Sequence, residues 1–278
     1  MSADLYVYAI VPGPLPDVDD VPGRGIDGVE VVAVEGPHGL VALVAENDTG
    51  PYQGADDDVR RWIVEHSEVI ERAWDAIGTA LPVTFNVLVR GDQQPAVERL
   101  LAWLDEQGPE LRSRLEELRD RVELRLELSL ERATVAADAP EVVRLQQEME
   151  GKSAGVRRLL DKRLDRLRRQ VADEIADAWY PEVRRRIVAL VEDLDEARRT
   201  TARDGEVAVL AASLLTPRDG VDVLGRELAR LQEEQPAAQV RFLGPWPPYS
   251  FVDLAGPGAD DAPDEAQAPE TRRDSPSV

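Results

Sequence analysis

Between Val122 and Leu130 an apolar residue falls at every second position, Val122, Leu124, Leu126, Leu128 and Leu130, with Glu123, Arg125, Glu127 and Ser129 between them. Successive side chains of a strand point to opposite faces, so the pattern predicts a strand with one face on a core and the other in water. Such a strand needs antiparallel neighbours and a covering layer. The cover lies just downstream. Residues 141–199 read as strongly helical, with Val156, Leu160, Leu164, Leu167, Val171 and Ile175 at steps of three and four. Proline lacks the N–H that continues a helix, so Tyr180-Pro181 is expected to divide this stretch into an antiparallel pair lying on the sheet. A buried strand over 206–215 follows. Thr216-Pro217 then supplies an N-cap and a first helical residue for a helix whose inward stripe is Val221, Leu224, Leu228 and Leu231. Residues 239–243 form a last strand.

The N-terminal part has its own alternation of elements. Leu5 to Val11 is a short β-rich run, ended by Pro12, Gly13, Pro14 and Pro16. Strands at 29–34 and 40–45 flank Gly36-Pro37-His38-Gly39, turn formers that predict a hairpin. From Asp56 the period changes to helical, with Val59, Trp62, Ile63, Ile70, Ala73, Trp74 and Ile77 on one face and Gly78 closing the helix. Residues 81–90 read as one strand, and 95–106 as a second helix ended by Gly108-Pro109. Strands with two helices on one face suggest an α+β layer of the ferredoxin-like kind. The fold class is therefore α+β in two domains. One is a modified ferredoxin-like domain over 1–112, and the other, over 113–254, carries long helices on a small antiparallel sheet. From Ala255 the composition falls to Gly, Pro, Ala, Asp, Glu and Ser without periodicity, so 255–278 is expected to be a disordered acidic tail.

A formal net charge of −22 repels a phosphate backbone over most of the surface and argues against nucleic acid as a partner. The positive charge is nearly all arginine, lysine occurring only at Lys152 and Lys162. Either a GC-rich genome or a high-salt cytoplasm accounts for that bias. With no cysteine, disulfides, thiolate metal sites and cysteine nucleophiles are all excluded. No signal-peptide pattern opens the sequence, and no apolar run approaches the ~20 residues of a membrane span. The expected location is the cytoplasm.

Motifs of catalysis and cofactor binding are weak. Gly23-Arg24-Gly25-Ile26-Asp27-Gly28 has the spacing of a dinucleotide fingerprint but precedes a strand, whereas pyrophosphate binding needs a helix N-terminus. Gly151-Lys152-Ser153 resembles the end of a phosphate loop, yet Gln146 stands where its upstream glycine is required. His66 falls on the apolar stripe of its helix and is expected to be a hydrogen-bonded core residue. Together with His38 it is too little for a zinc site. Fifty-five carboxylates guarantee chance pairs, so none is nominated as acid and base. No enzymatic activity, cofactor, metal or small-molecule substrate is expected.

Two features stand out. Arg157, Arg158, Lys162, Arg163, Arg166, Arg168 and Arg169 concentrate positive charge in an acidic chain, either as a solvated face paired with nearby carboxylates or as a docking surface for an acidic helix. Gly244-Pro245-Trp246-Pro247-Pro248-Tyr249-Ser250-Phe251 presents three aromatics on a proline-stiffened backbone, directed into its own domain's core or into a partner's.

The string Gly244 to Asp253 closely resembles the C-terminal signature of the gas vesicle protein F/L (GvpF/GvpL) family. Leu5-Tyr6-Val7-Tyr8-Ala9-Ile10-Val11, the His66-Ser67-Glu68-Val69-Ile70 helix leading to Leu81-Pro82-Val83-Thr84-Phe85, and the Val122-Glu123-Leu124 strand agree in order. The resemblance spans about residues 4 to 254, and chain length and the acidic tail lean toward the L branch. One departure is Asn86, where the family usually has glycine, which bears on the local turn geometry. The resemblance implies an N-terminal modified ferredoxin-like domain and a C-terminal α+β domain. It also implies a non-enzymatic accessory protein that binds the hydrophobic shell protein (GvpA type) and other minor vesicle proteins, with no membrane partner. The expected partner-binding residues are Trp246, Tyr249, Phe251, Arg157, Arg158 and Arg169. The alternative reading is a ferredoxin-like regulatory module for a small ligand.

Overall fold

A computed structural model describes residues 3–16, 21–197 and 202–252. The expected tail, 255–278, lies outside them. In chain order the first elements are β1 (Asp4–Pro12), β2 (Val32–Glu35), β3 (Leu40–Asn47), α1 (Asp56–Ile77), β4 (Leu81–Pro82), β5 (Leu88–Val89) and α2 (Ala96–Glu117). There follow β6 (Arg121–Glu131), α3 (Arg132–Val135), α4 (Pro140–Met149), α5 (Ala154–Val188), β7 (Asp193–Glu196), β8 (Glu206–Pro217), α6 (Val221–Glu234) and β9 (Ala238–Trp246). The architecture is α+β, with antiparallel pairing between strands. Its described residues divide into two units, one holding residues up to Val69 and Val83–Arg112, the other Ile70–Pro82 and the chain from Ser113.

In the first unit β1 is paired on both sides. β3 runs antiparallel to it over its whole length, and β5 meets its other edge with Leu5 opposite Val89 and Tyr6 opposite Leu88. Tyr6 to Val11 are almost wholly buried, which is why β1 reads as a continuous apolar run rather than an alternating one. The expected hairpin is present: β2 pairs with β3, and Gly36 N–H donates to Leu40 O across the turn at 2.8 Å.

Two expectations for this unit change. Residues 81–90 do not form one strand, because Asn86 sits at φ 72° in the left-handed region and interrupts the ladder between β4 and β5. Nor does α2 stop at Gly108-Pro109; it runs on to Glu117. Pro109 has no N–H to offer the Asp105 carbonyl four residues back. The His38 imidazole supplies the missing interaction, with Nε2 3.2 Å from Asp105 O and 3.1 Å from Asp105 Oδ1. Gly108 makes room for that ring, since a Cβ there would lie 2.1 Å from His38 Cδ2. On α1 the buried residues of this unit are His66 and Val69, whereas Ile63, expected on the inner stripe, is exposed.

The second unit has a four-stranded sheet in the order β7-β8-β6-β9. Read along the chain it is strand, helices, strand, strand, helix, strand, with the first strand central: the β-α-β-β-α-β succession of ferredoxin-like folds. The alternating residues Val122, Leu124, Leu126, Leu128 and Leu130 are all buried, as their period predicts. The opposite face of β6 is wet only in part. Arg125 is exposed, whereas Glu123 and Ser129 are buried.

The helical stretch is organised differently from expectation. α5 passes through Pro181 without a break, and the interruption falls at Gly151, φ 75°, between α4 and α5. One lost backbone bond at Pro181 is outweighed by what anchors the second half of α5. Val183 and Ile187 are fully buried, and Arg186 pairs with both Glu227 and Glu234 of α6. α4 and the first half of α5 share a smaller core of Val142, Leu145, Leu160 and Leu164. The stretch read as helix up to 199 also hides β7, an acidic edge strand whose Glu196 accepts from Tyr180 Oη at 2.9 Å and Arg184 Nε at 2.6 Å.

Candidate functional site

The C-terminal aromatic segment is fastened to the sheet that leads into it. β9 brings Trp246 opposite Glu123 of β6. Gly244 takes φ 116°, and a Cβ there would lie 2.8 Å from the Glu123 carbonyl oxygen, so glycine is required by both conformation and space. Beyond Trp246 the buried Pro247 and Pro248 lead into one 3₁₀ turn, Tyr249–Phe251. Ser250 donates twice to the Glu123 carboxylate, from its N–H at 2.7 Å and its Oγ at 2.6 Å, so each carboxylate oxygen takes one bond. Arg114 Nε donates to the Phe251 carbonyl at 3.1 Å. Hydrogen bonds to charged groups contribute about 1.5–3 kcal/mol each.

Of the three aromatics, Phe251 is 6% exposed and fills its own unit, while Trp246 and Tyr249 are half-buried. Glu123 and Arg114, which hold the segment, were not legible as site residues. In the sequence Glu123 is one outward position of an alternating strand and Arg114 one charge on a polar helix face.

The arginine cluster lies along the first half of α5. Arg157, Arg158, Arg163, Arg166 and Arg169 are exposed, and no carboxylate lies within ion-pair distance of any of them among the described residues. Arg157 Nη2 donates to the Lys152 carbonyl at 3.2 Å. The second half of the same helix behaves oppositely, with Arg184, Arg185 and Arg186 all paired to glutamates. Two hollows flank the unpaired stretch. One, of about 520 Å³, lies between α4 and α5 and is lined by Arg144, Leu145, Arg163 and Arg166 among others. The other, of about 350 Å³, is lined by Arg132, Arg168, Arg169, Asp165 and Asp204. The cluster is thereby split: Arg169 borders one hollow, and Arg163 and Arg166 border the other.

His66 is a hydrogen-bonded residue of the core. His66 Nε2 is 3.0 Å from the Val83 carbonyl, which only accepts, so Nε2 carries the proton and Nδ1 accepts from Tyr6 Oη at 3.0 Å. Tyr6 Oη in turn accepts from Asn86 N–H. Burial pushes the His66 pKa down to about 4, so the ring is neutral near pH 7. The glycine string 23–28 serves packing: a Cβ at Gly25 would lie 2.2 Å from Tyr8 Oη, which accepts from Ile26 N–H. Among the described residues no group of three His, Asp or Glu side chains could hold a metal ion, and no helix is long and apolar enough to cross a membrane.

Residues 4–253 match the family model described as gas vesicle synthesis protein GvpL/GvpF. The chain is 30% identical to gas vesicle protein L1 of Halobacterium salinarum, with 92% of each chain covered. It is 27% identical to gas vesicle protein F of a Streptomyces species, covering 89% of this chain and 99% of that one. In three dimensions it is similar to the crystal structure of GvpF from Anabaena, with a TM-score of 0.68 at 19% identity over 92% of this chain and all of the other.

Proposed function

Because the chain belongs to the GvpL/GvpF family of gas vesicle synthesis proteins, we propose that it serves gas vesicle formation by holding other vesicle proteins, the hydrophobic shell protein first among them. The action is non-catalytic and cytoplasmic. Residues 1–112 and 113–254 act as two domains in this reading, and 255–278 as an acidic tail. The observation that carries it is the stretch of exposed, unpaired arginines on α5 in a chain of net charge −22, next to the exposed apolar side chains Val156 and Leu159. Surface charge with no internal partner and apolar area left in water are what a protein-binding face combines.

Masking is the mechanism. An unassembled shell subunit exposes apolar surface worth roughly 25 cal/mol per Å², and a soluble acidic partner covering it delays aggregation until the subunit joins the wall. Arg157, Arg158 and Arg169, with Trp246 and Tyr249, are the contact residues in this reading, and Phe251 supports them from inside. Coexpression with the shell protein tests it: the soluble fraction of shell protein rises with this chain present and falls back with Trp246→Ala or a reversal of the arginines. A soluble fraction equal with and without the chain refutes masking.

A further inference from the structure

Resting on the accessory-protein reading above, we propose that the groove between α4 and the first half of α5 seats an acidic amphipathic helix of a partner protein. On the α5 side this groove is lined by Arg163, Arg166, Leu167 and Gln170, and the line of Arg163, Arg166 and Gln170 continues beyond the groove toward the start of α5 as a regular seam. Val156, Leu159, Arg163, Arg166 and Gln170 follow one another at steps of three, four, three and four, the spacing by which one helix presents a continuous stripe to another. Leu160, Leu164 and Val171, rotated from that stripe, are the residues α5 turns into its own unit. Leu159 is 70% exposed and Val156 45% exposed, so the apolar end of the seam is left in water.

Charge settles the chemistry of the occupant. Residues 152–169 hold eight basic side chains against two acidic ones, in a chain that is otherwise strongly acidic. At about 100° per residue, Asp161 and Asp165 fall on the side of α5 away from the seam, and the first carboxylate of α5 on its line is Glu174, past its end, which accepts from Gln170 Nε2 at 3.0 Å. Across the groove α4 contributes Arg144 between Glu141 and Glu148. A helix with leucines facing Val156 and Leu159, and carboxylates facing Arg163, Arg166 and Arg144, satisfies both halves of the surface. Elsewhere the net charge repels such a helix, so the seam also directs where it docks. A nucleic acid meets the same repulsion and finds nothing to cover Leu159.

The test uses the full chain and a labelled synthetic peptide of 21 residues, with leucine at three-four spacing and glutamate on the flanks. Fluorescence anisotropy is read at low and at physiological salt. The expected result is saturable binding that weakens with salt, falls at least tenfold in Arg163→Glu/Arg166→Glu, and weakens in Leu159→Ser. A peptide with lysine in place of glutamate is expected to prefer the charge-reversed variant, which shows that this variant is folded. Equal binding of a scrambled peptide of the same composition, or undiminished binding to the reversed variant, overturns the proposal. So does tighter binding of single-stranded DNA to the same variant-sensitive face. Sedimentation of the chain alone provides a further check, because a dimer lost on charge reversal assigns the groove to a second copy instead. Peptide binding that fails while shell protein still stays soluble removes this groove and leaves the masking function standing; failure of both removes the function.

Discussion

The side-chain amide of Asn86 clasps the backbone of Tyr52: Oδ1 accepts from Tyr52 N–H at 2.8 Å and Nδ2 donates to Tyr52 O at 3.0 Å. Asn86 also holds φ 72°, where asparagine is tolerated better than most residues because its short polar chain bonds locally. Its own N–H donates to Tyr6 Oη, the hydroxyl that reaches His66. One residue thus ends a strand, fixes a distant loop and closes a buried polar chain.

Two substitutions separate the backbone role of Asn86 from its amide. Asn86→Gly keeps the left-handed conformation and removes both bonds to Tyr52. It is expected to destabilise by about 1–2 kcal/mol, close to two ordinary hydrogen bonds less what water returns. Asn86→Ala loses the same bonds and adds a β-carbon at positive φ, so it costs about 1 kcal/mol more. Urea titrations of the three proteins give the order. A glycine variant as stable as the parent would mean that the clasp contributes nothing net.

The polar chain around His66 makes stability depend on pH. In the folded protein burial holds the imidazole pKa near 4, against about 6.5 when unfolded, so below pH 6.5 the unfolded state binds the proton first. Linkage adds nothing above that pH. Between about 6.5 and 4 stability falls by up to about 1.4 kcal/mol per pH unit, reaching about 3 kcal/mol, and the contribution then levels off. Carboxylates titrate in the lower part of the same window, so the informative quantity is the difference from His66→Gln, which keeps polar atoms but cannot take the proton. Stability measured from pH 7.5 to 4.5 is expected to show a shallower slope in the variant. Parallel curves would place the ring in contact with water.

What the sequence made legible and what it hid divide along physical lines. Period alone was enough for β6, because five apolar residues at every second position have one arrangement that buries them. Local punctuation was less reliable. Pro109 and Pro181 both look like helix ends, yet a proline removes one bond, and both helices continue because distant groups make up for it: His38 on Asp105 in the first case, the buried Val183 and Ile187 in the second. β7 was missed for a related reason. Asp193–Glu196 has little strand propensity of its own and is paired only because β8 offers an edge. For the aromatic segment, the glycine and prolines signalled a rigid presentation but not its direction, which depends on a carboxylate more than a hundred residues away. The arginine cluster was visible as charge; that it lacks carboxylate partners depends on how α5 is turned, which residue counts do not contain.

Glu123 is the strongest determinant of that direction, and a change of one atom tests it. Glu123→Gln preserves size and shape but replaces one acceptor oxygen by an amino group, which then faces a Ser250 donor instead of accepting from it. Losing a charge-assisted bond and opposing two donors is expected to cost about 1–3 kcal/mol, expressed locally because the rest of β6 keeps its ladder to β8 and β9. Amide exchange of Ser250 and Phe251 should therefore quicken about 5- to 150-fold while Leu124 to Leu130 exchange as before. Ser250→Ala, which loses the hydroxyl bonds to Glu123 and Ser213 but keeps the Ser250 N–H bond to the carboxylate, should fall between the two. If exchange at Ser250 and Phe251 is unchanged in Glu123→Gln, the burial of Phe251 and the Arg114 bond to its carbonyl hold the segment without the carboxylate.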